Sequence, residues 1–116
     1  MAKTENAVRK HLPLTESTAY ILLALMEPLH GYAVMQMVRE MSGGEVEIGP
    51  GTLYGAFTAL QKDGLIRKVQ EEGRRKSYLL TDKGTEVLQS HMRRLAILNR
   101  AWSDTVGGED RRGSEQ

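Results

Sequence analysis

Residues 49–60 read GPGTLYGAFTAL, and this stretch limits the fold more than any other. At 100° per residue, Leu53, Ala56, Phe57 and Leu60 fall on one face of a helix, the i, i+3, i+4, i+7 spacing of a buried stripe. Gly51, Gly55, Thr58 and Lys62 fall on the opposite face, flanked by Thr52, Tyr54 and Gln61. A glycine inside a helix costs about 1 kcal/mol relative to alanine. Such a helix packs through one side and shows a nearly bare backbone on the other. An α-helix that enters the major groove of DNA needs this kind of surface, because small residues let its backbone approach base edges and phosphates. The competing reading is that Gly51 and Gly55 permit tight packing inside the same domain, and their place opposite the apolar stripe counts against it.

The neighbouring segments supply a frame for that helix. Residues 1–11 are polar without a clear period and are expected to form a partly helical arm. Thr15 is placed to cap a helix that begins with Glu16, where the helix dipole favours an acid, and Pro28 is expected to stop it near Glu27. Its AYILLALM run (19–26) is apolar almost all round, so it calls for burial on more than one face. GYAVMQMVREMS, from Gly31 to Ser42, reads as an amphipathic helix with apolar Tyr32, Met35, Val38 and Met41, closed by Gly43-Gly44. EVEI (45–48) is expected to add a short strand. LIRKVQ and KSYLLT, separated by EEGRR, predict a β-hairpin with Gly73 in its turn. Thr81 is placed to cap a final helix that starts at Asp82 and ends between Trp102 and Thr105, with residues 106–116 expected as a tail. The fold expected is mainly α with a small β-hairpin: a winged helix-turn-helix over 12–81, then a long dimerisation helix over 82–105.

Net charge is only +1, but it is unevenly spread. Residues 12–49 hold one basic group, Arg39, against five acids. Residues 50–80 hold Lys62, Arg67, Lys68, Arg74, Arg75 and Lys76 against Asp63, Glu71 and Glu72. A basic section of this kind can present an anion-binding surface on a near-neutral chain. Arg74, Arg75 and Lys76 cluster at the hairpin tip, placed for phosphates or for a narrow minor groove. Glu71 and Glu72 moderate that field. The candidate DNA-contact set from the helical wheel and the charge pattern is Thr52, Gly55, Thr58, Lys62, Arg74, Arg75 and Lys76.

The last helix spaces Leu88, Met92, Leu95, Asn99, Trp102 and Val106 at four, three, four, three, four, a heptad-like seam in which Asn99 can fix register. Val87, His91, Leu98 and Ala101 widen its apolar surface. The seam predicts a homodimer, with Leu88, Met92, Leu95, Asn99 and Trp102 at the interface. The alternative is an amphipathic helix folded back on its own domain, which would leave the apolar first helix under-buried.

The segments LHGYAVMQMV, GPGTLYGAFTALQKDGLI and GRRKSYLLTDKG resemble, in order and spacing, the PadR family of bacterial transcriptional regulators. The likeness covers about residues 12–105, and the single C-terminal helix resembles the family's shorter members. It implies a homodimer on a roughly palindromic double-stranded operator, usually a repressor relieved by a small molecule. It also implies a role for Tyr54 near the DNA backbone, which adds that residue to the candidate DNA-contact set. It implies a hydrophobic site for a flat aromatic effector at the dimer centre, walled here by Leu98, Ala101, Trp102 and residues of the first helix. Two positions depart from the family pattern: Gln61 stands where many members carry glutamate, and Gly55 where others often have proline.

Other function classes fit less well. The chain has no cysteine, and His11, His30 and His91 lie on separate elements without carboxylates at ligand spacing. Neither an enzyme, a metal site nor a bound cofactor is suggested; His30 is better placed to cap or orient the helix at Gly31. A winged helix used for protein docking would need no basic wing. A MarR-type regulator would share LTDKG and the basic wing, but usually in a longer chain. Without a signal sequence or a run long enough to cross a bilayer, the chain is expected to be cytoplasmic and free of the membrane.

Overall fold

A computed structural model describes the backbone over residues 2–73 and 75–115 and the side chains over 6–73 and 75–107. Helix α1 (Ala2–Arg9) leads to α2 (Glu16–Ala24), then a two-residue strand β1 (Leu29–His30), α3 (Gly31–Met41), α4 (Pro50–Lys62), β2 (Ile66–Glu72), β3 (Arg75–Leu80) and α5 (Asp82–Glu115). This is a winged helix-turn-helix with a long C-terminal helix.

Most of the helix starts lie at the residues with capping chemistry. The Thr15 hydroxyl accepts from the Thr18 amide at 3.1 Å, and His30 Nδ1 accepts from the Ala33 amide at 3.4 Å. Helix α4 has proline in its first turn after Gly49, with no side-chain cap. The Thr81 hydroxyl accepts from the Gly84 amide at 3.0 Å and donates to the Gly64 carbonyl at 2.6 Å, so one side chain caps α5 and ties it to the end of α4.

The core gathers Ile21, Leu22, Leu25, Val34, Val38, Leu53, Phe57, Leu65, Ile66 and Val87, each at most 2% exposed. The expected stripe of α4 is its buried face, with Ala56 half-buried at the edge. In α3 the buried face is Gly31, Val34 and Val38, so of the expected line Val38 is buried and Met35 packs half-buried against the core, while Tyr32 and Met41 are exposed. Helix α2 buries Ile21, Leu22 and Ala24 but leaves Leu23 exposed, as is Met26 beyond its end. One side of the all-round apolar run is therefore not covered by its own chain.

The arm at residues 1–11 is helical over Ala2–Arg9, in keeping with the partly helical arm expected, and its Val8 is buried against the core. Two expectations need correction. The EVEI segment forms no strand. Its Val46 amide and carbonyl are both satisfied by the Ser42 hydroxyl, at 3.0 and 3.2 Å, while Val46 and Ile48 enter the core. Leu29–His30 takes the third strand place instead, in an antiparallel sheet of order β1-β3-β2. Finally, the last helix does not stop at 102–105 but runs to Glu115, so the segment expected as a tail is helical. No proline follows Thr105, and Gly107-Gly108 cost only about 1 kcal/mol each, too little to end a helix alone.

Candidate nucleic-acid interface

Helices α3 and α4 form the helix-turn-helix pair, and β2 and β3 form the wing beside it. Gly51, Thr52, Tyr54, Gly55, Thr58, Gln61 and Lys62 are all exposed on α4. A Cβ added at Gly51 or Gly55 would meet nothing within 4 Å. Neither glycine is needed for packing inside the chain, which removes the competing reading of the bare face. The hydroxyl of exposed Thr58 donates to the Tyr54 carbonyl at 3.0 Å.

Tyr54 is half-exposed at 52%, yet its ring is held. It makes a T-shaped contact with Phe57 at 6.0 Å between centroids and 83° between planes, and Phe57 in turn packs on Tyr78 of β3 at 4.6 Å. Tyr54 thus ends a line of three aromatic rings running from the sheet to the surface. It shares a hollow with His30, Gly31, Tyr32, Arg75 and Lys76. The fold therefore brings the candidate tyrosine of α4 to the base of the basic wing.

In the wing, the paired strands run to Glu72 and restart at Arg75, with Gly73 at φ +59° in the connection. The register sets Glu72 opposite Arg75 and Glu71 opposite Lys76. The acids are partly engaged elsewhere: Lys68 Nζ lies 3.5 Å from Glu71 Oε2, and Gln70 donates to Glu72 at 2.8 Å. Among the described residues no carboxylate lies within 4.0 Å of the Arg75 or Lys76 charge. Arg74, the third expected wing cation, lies outside the described residues. The register breaks between Lys68 and Gln70, a bulge at Val69 that bends and twists the wing.

Of the expected interface residues on α5, Leu88 is buried at 6%, while Met92, Leu95, Asn99 and Trp102 are exposed. Leu98 and Ala101 are exposed too. An apolar hollow of about 530 Å³ does lie between α2 and α5, but its lining is Leu14, Glu16, Ala19, Tyr20, Leu23, Leu88, His91, Met92 and Leu95. The suggested effector residues Leu98, Ala101 and Trp102 are not among them. His91 is 6% exposed and its Nδ1 accepts from the Leu14 amide at 3.3 Å, a structural task. Among the described residues no three His, Asp or Glu side chains gather to hold a metal, and no helix is long and apolar enough to cross a membrane.

Residues 21–90 match the transcriptional regulator PadR-like family. The chain belongs to that family. The family is one of transcriptional regulators. The chain is 39% identical over 80 residues to an uncharacterized 37.1 kDa protein of transposon TN4556 from Streptomyces fradiae, covering 68% of this chain and 23% of that protein. It is 28% identical over 69 residues to the transcriptional regulator YqjI of Escherichia coli, covering 60% of this chain and 33% of YqjI. The chain thus spans a third or less of these curated relatives. Among solved structures, a PadR-like transcription factor from Bacteroides fragilis superposes with a TM-score of 0.63 at 25% identity, covering 89% of this chain and 98% of that one. A PadR family regulator from Clostridium difficile reaches a TM-score of 0.69 at 21% identity over 79% of this chain and 99% of that one. The second likeness speaks to the fold alone.

The hollow at the base of the wing also contains residues to which the sequence reading gave no contact role. Gly31 and Tyr32 face the Tyr54 hollow beside His30, and all three belong to the HGY segment at the start of α3. Proximity across 23 positions of chain was the missing information.

Proposed function

We propose that this PadR-like regulator binds double-stranded operator DNA as a homodimer, with α4 in the major groove and the wing on the adjacent backbone. The observation that carries the reading is the outward pair Gly51 and Gly55, where an added Cβ would meet nothing within 4 Å, on the same helix as Tyr54, which shares a hollow with the cations Arg75 and Lys76. Thr52, Tyr54, Gly55, Thr58 and Lys62 are the groove and backbone contacts on the helix; Arg74, Arg75 and Lys76 serve the wing. The exposed apolar residues Met92, Leu95 and Trp102 on α5, with Leu23 and Met26 near α2, supply the dimer surface. Asn99 sits in the same seam. We further propose that it acts in the cytoplasm as a repressor, relieved when a flat hydrophobic effector enters between the paired α5 helices near Leu98, Ala101 and Trp102.

Fluorescence anisotropy with the DNA upstream of the protein's own gene tests the reading. Affinity should exceed that for scrambled DNA and fall steeply as salt rises, because phosphate contacts release counterions. Equal affinity for both DNAs, or none in dilute buffer, would overturn it. Planar dyes should quench Trp102, the only tryptophan in the chain; a broad panel without quenching would remove the effector site from the proposal.

A further inference from the structure

We propose that Gly31, at the start of α3, is the positioning residue for Tyr54. The inference rests on the DNA-binding reading above and adds to it a residue that touches no DNA itself. A Cβ built on Gly31 would lie 2.7 Å from the Tyr54 hydroxyl oxygen, 3.0 Å from Cζ and 3.2 Å from Cε1. The phenol ring therefore lies directly across the first turn of α3, in space that any other residue would fill. The ring also meets Phe57 in an edge-to-face contact, with 6.0 Å between centroids. Gly31 and Phe57 together hold a ring that is otherwise half in solvent, with its hydroxyl in the hollow that also contains Arg75 and Lys76. In that place the hydroxyl can donate to the same stretch of DNA backbone that the wing cations approach.

The contact is unlike the chain's other crowded glycine. A Cβ at Gly84 would collide with the Leu65 carbonyl and approach Leu80 Cδ1 to 2.6 Å, and backbone there cannot yield. At Gly31 the obstructing atoms are the free end of a side chain with open solvent beside it. Alanine at position 31 therefore displaces the tyrosine and keeps the fold, since alanine also favours the helix more than glycine does. Gly31 has no positive φ that would require glycine on backbone grounds.

The test is a double-mutant cycle on operator affinity, with thermal unfolding of each protein as the control for folding. Gly31→Ala and Tyr54→Ala should each weaken binding about ten-fold, the scale of one lost hydrogen bond to a charged group. The double variant should bind no worse than Tyr54→Ala alone, because the glycine acts only through the ring. Wild-type affinity in Gly31→Ala, or the same fold-loss from it in both backgrounds, would overturn the proposal. A second readout needs no DNA. The free wild-type protein should show nuclear Overhauser contacts between the Gly31 Hα protons and the Tyr54 ring, absent in Gly31→Ala. If the wild type bound no operator, the functional reading would fail, and these contacts would still decide whether Gly31 places the ring.

Discussion

Gly55 and Gly31 lack a side chain for different reasons, and each reason has its own experimental signature. Gly55 faces open space, so its cost to the helix is not returned by any contact within the chain. Gly55→Ala should raise unfolding free energy by about 1 kcal/mol and Tm by roughly 4–8 °C, measured by calorimetry. Gly55→Gln should keep a folded protein yet weaken operator binding, because its side chain occupies the approach to the groove. A Gln variant that binds normally would argue against α4 as the reading helix. His11 is a different kind of residue. Its Nε2 is buried without a hydrogen-bond partner, and Nδ1 lies 4.0 Å from Asp63 Oδ2. Burial, aided by Lys83 and Lys10 and opposed by Asp63, lowers its pKa below the ordinary 6.5. The unfolded chain then takes up a proton near pH 6.5 while the folded chain stays neutral. Stability falls as pH drops below that value and levels off once the folded form also titrates. Urea unfolding at stepped pH should show this decline, and His11→Gln should flatten it.

Among the elements, α4, the wing and the caps at Thr15 and Thr81 were legible because their signals are local. A stripe, a turn glycine and a hydroxyl before an acid each act within a few residues. Strand β1 was not legible, since two residues carry no periodicity and Leu29–His30 becomes a strand only by meeting Tyr78 and Ser77 of β3. EVEI alternates like a strand, but Ser42 satisfies the Val46 backbone before any neighbour can. The same distinction holds at the interface: Lys62 and Arg75 stood out by charge, whereas Gly31 gains its meaning from a ring far along the chain. The wing carries its own prediction. Arg75 has no described carboxylate within 4.0 Å, so Arg75→Ala should reduce affinity for all DNA and lower the slope of log affinity against log salt by about one. An unchanged slope would place Arg75 away from phosphate.

The whole molecule is elongated. Its radius of gyration is 17.5 Å and its extents are 66 × 38 × 21 Å, whereas a compact chain of this length would have a radius near ~13 Å. The excess comes from α5, whose 34 residues make a rod roughly 50 Å long. Beyond His91 every side chain through Thr105 is exposed, including Leu95, Ile97, Leu98 and Trp102. The heptad-like spacing made this surface legible in outline, but no monomer sequence pattern states what covers it. Leu95→Glu should turn the proposed dimer into a folded monomer in sedimentation equilibrium and weaken operator binding steeply, since one half-site is then read alone. A Leu95→Glu protein that remains dimeric would move the interface elsewhere.

The junction at Thr81 has a mechanical consequence. One hydroxyl grips the Gly64 carbonyl and the Gly84 amide, the Thr81 amide holds the Leu65 carbonyl at 3.0 Å, and Gly84 brings the rod flush against that same strand start. There is no slack between the rod and the end of the reading helix. In the proposed dimer, a change of angle imposed on the rod would reach α4 as a rigid swing, so control would alter the distance between two intact heads and leave the shape of each unchanged.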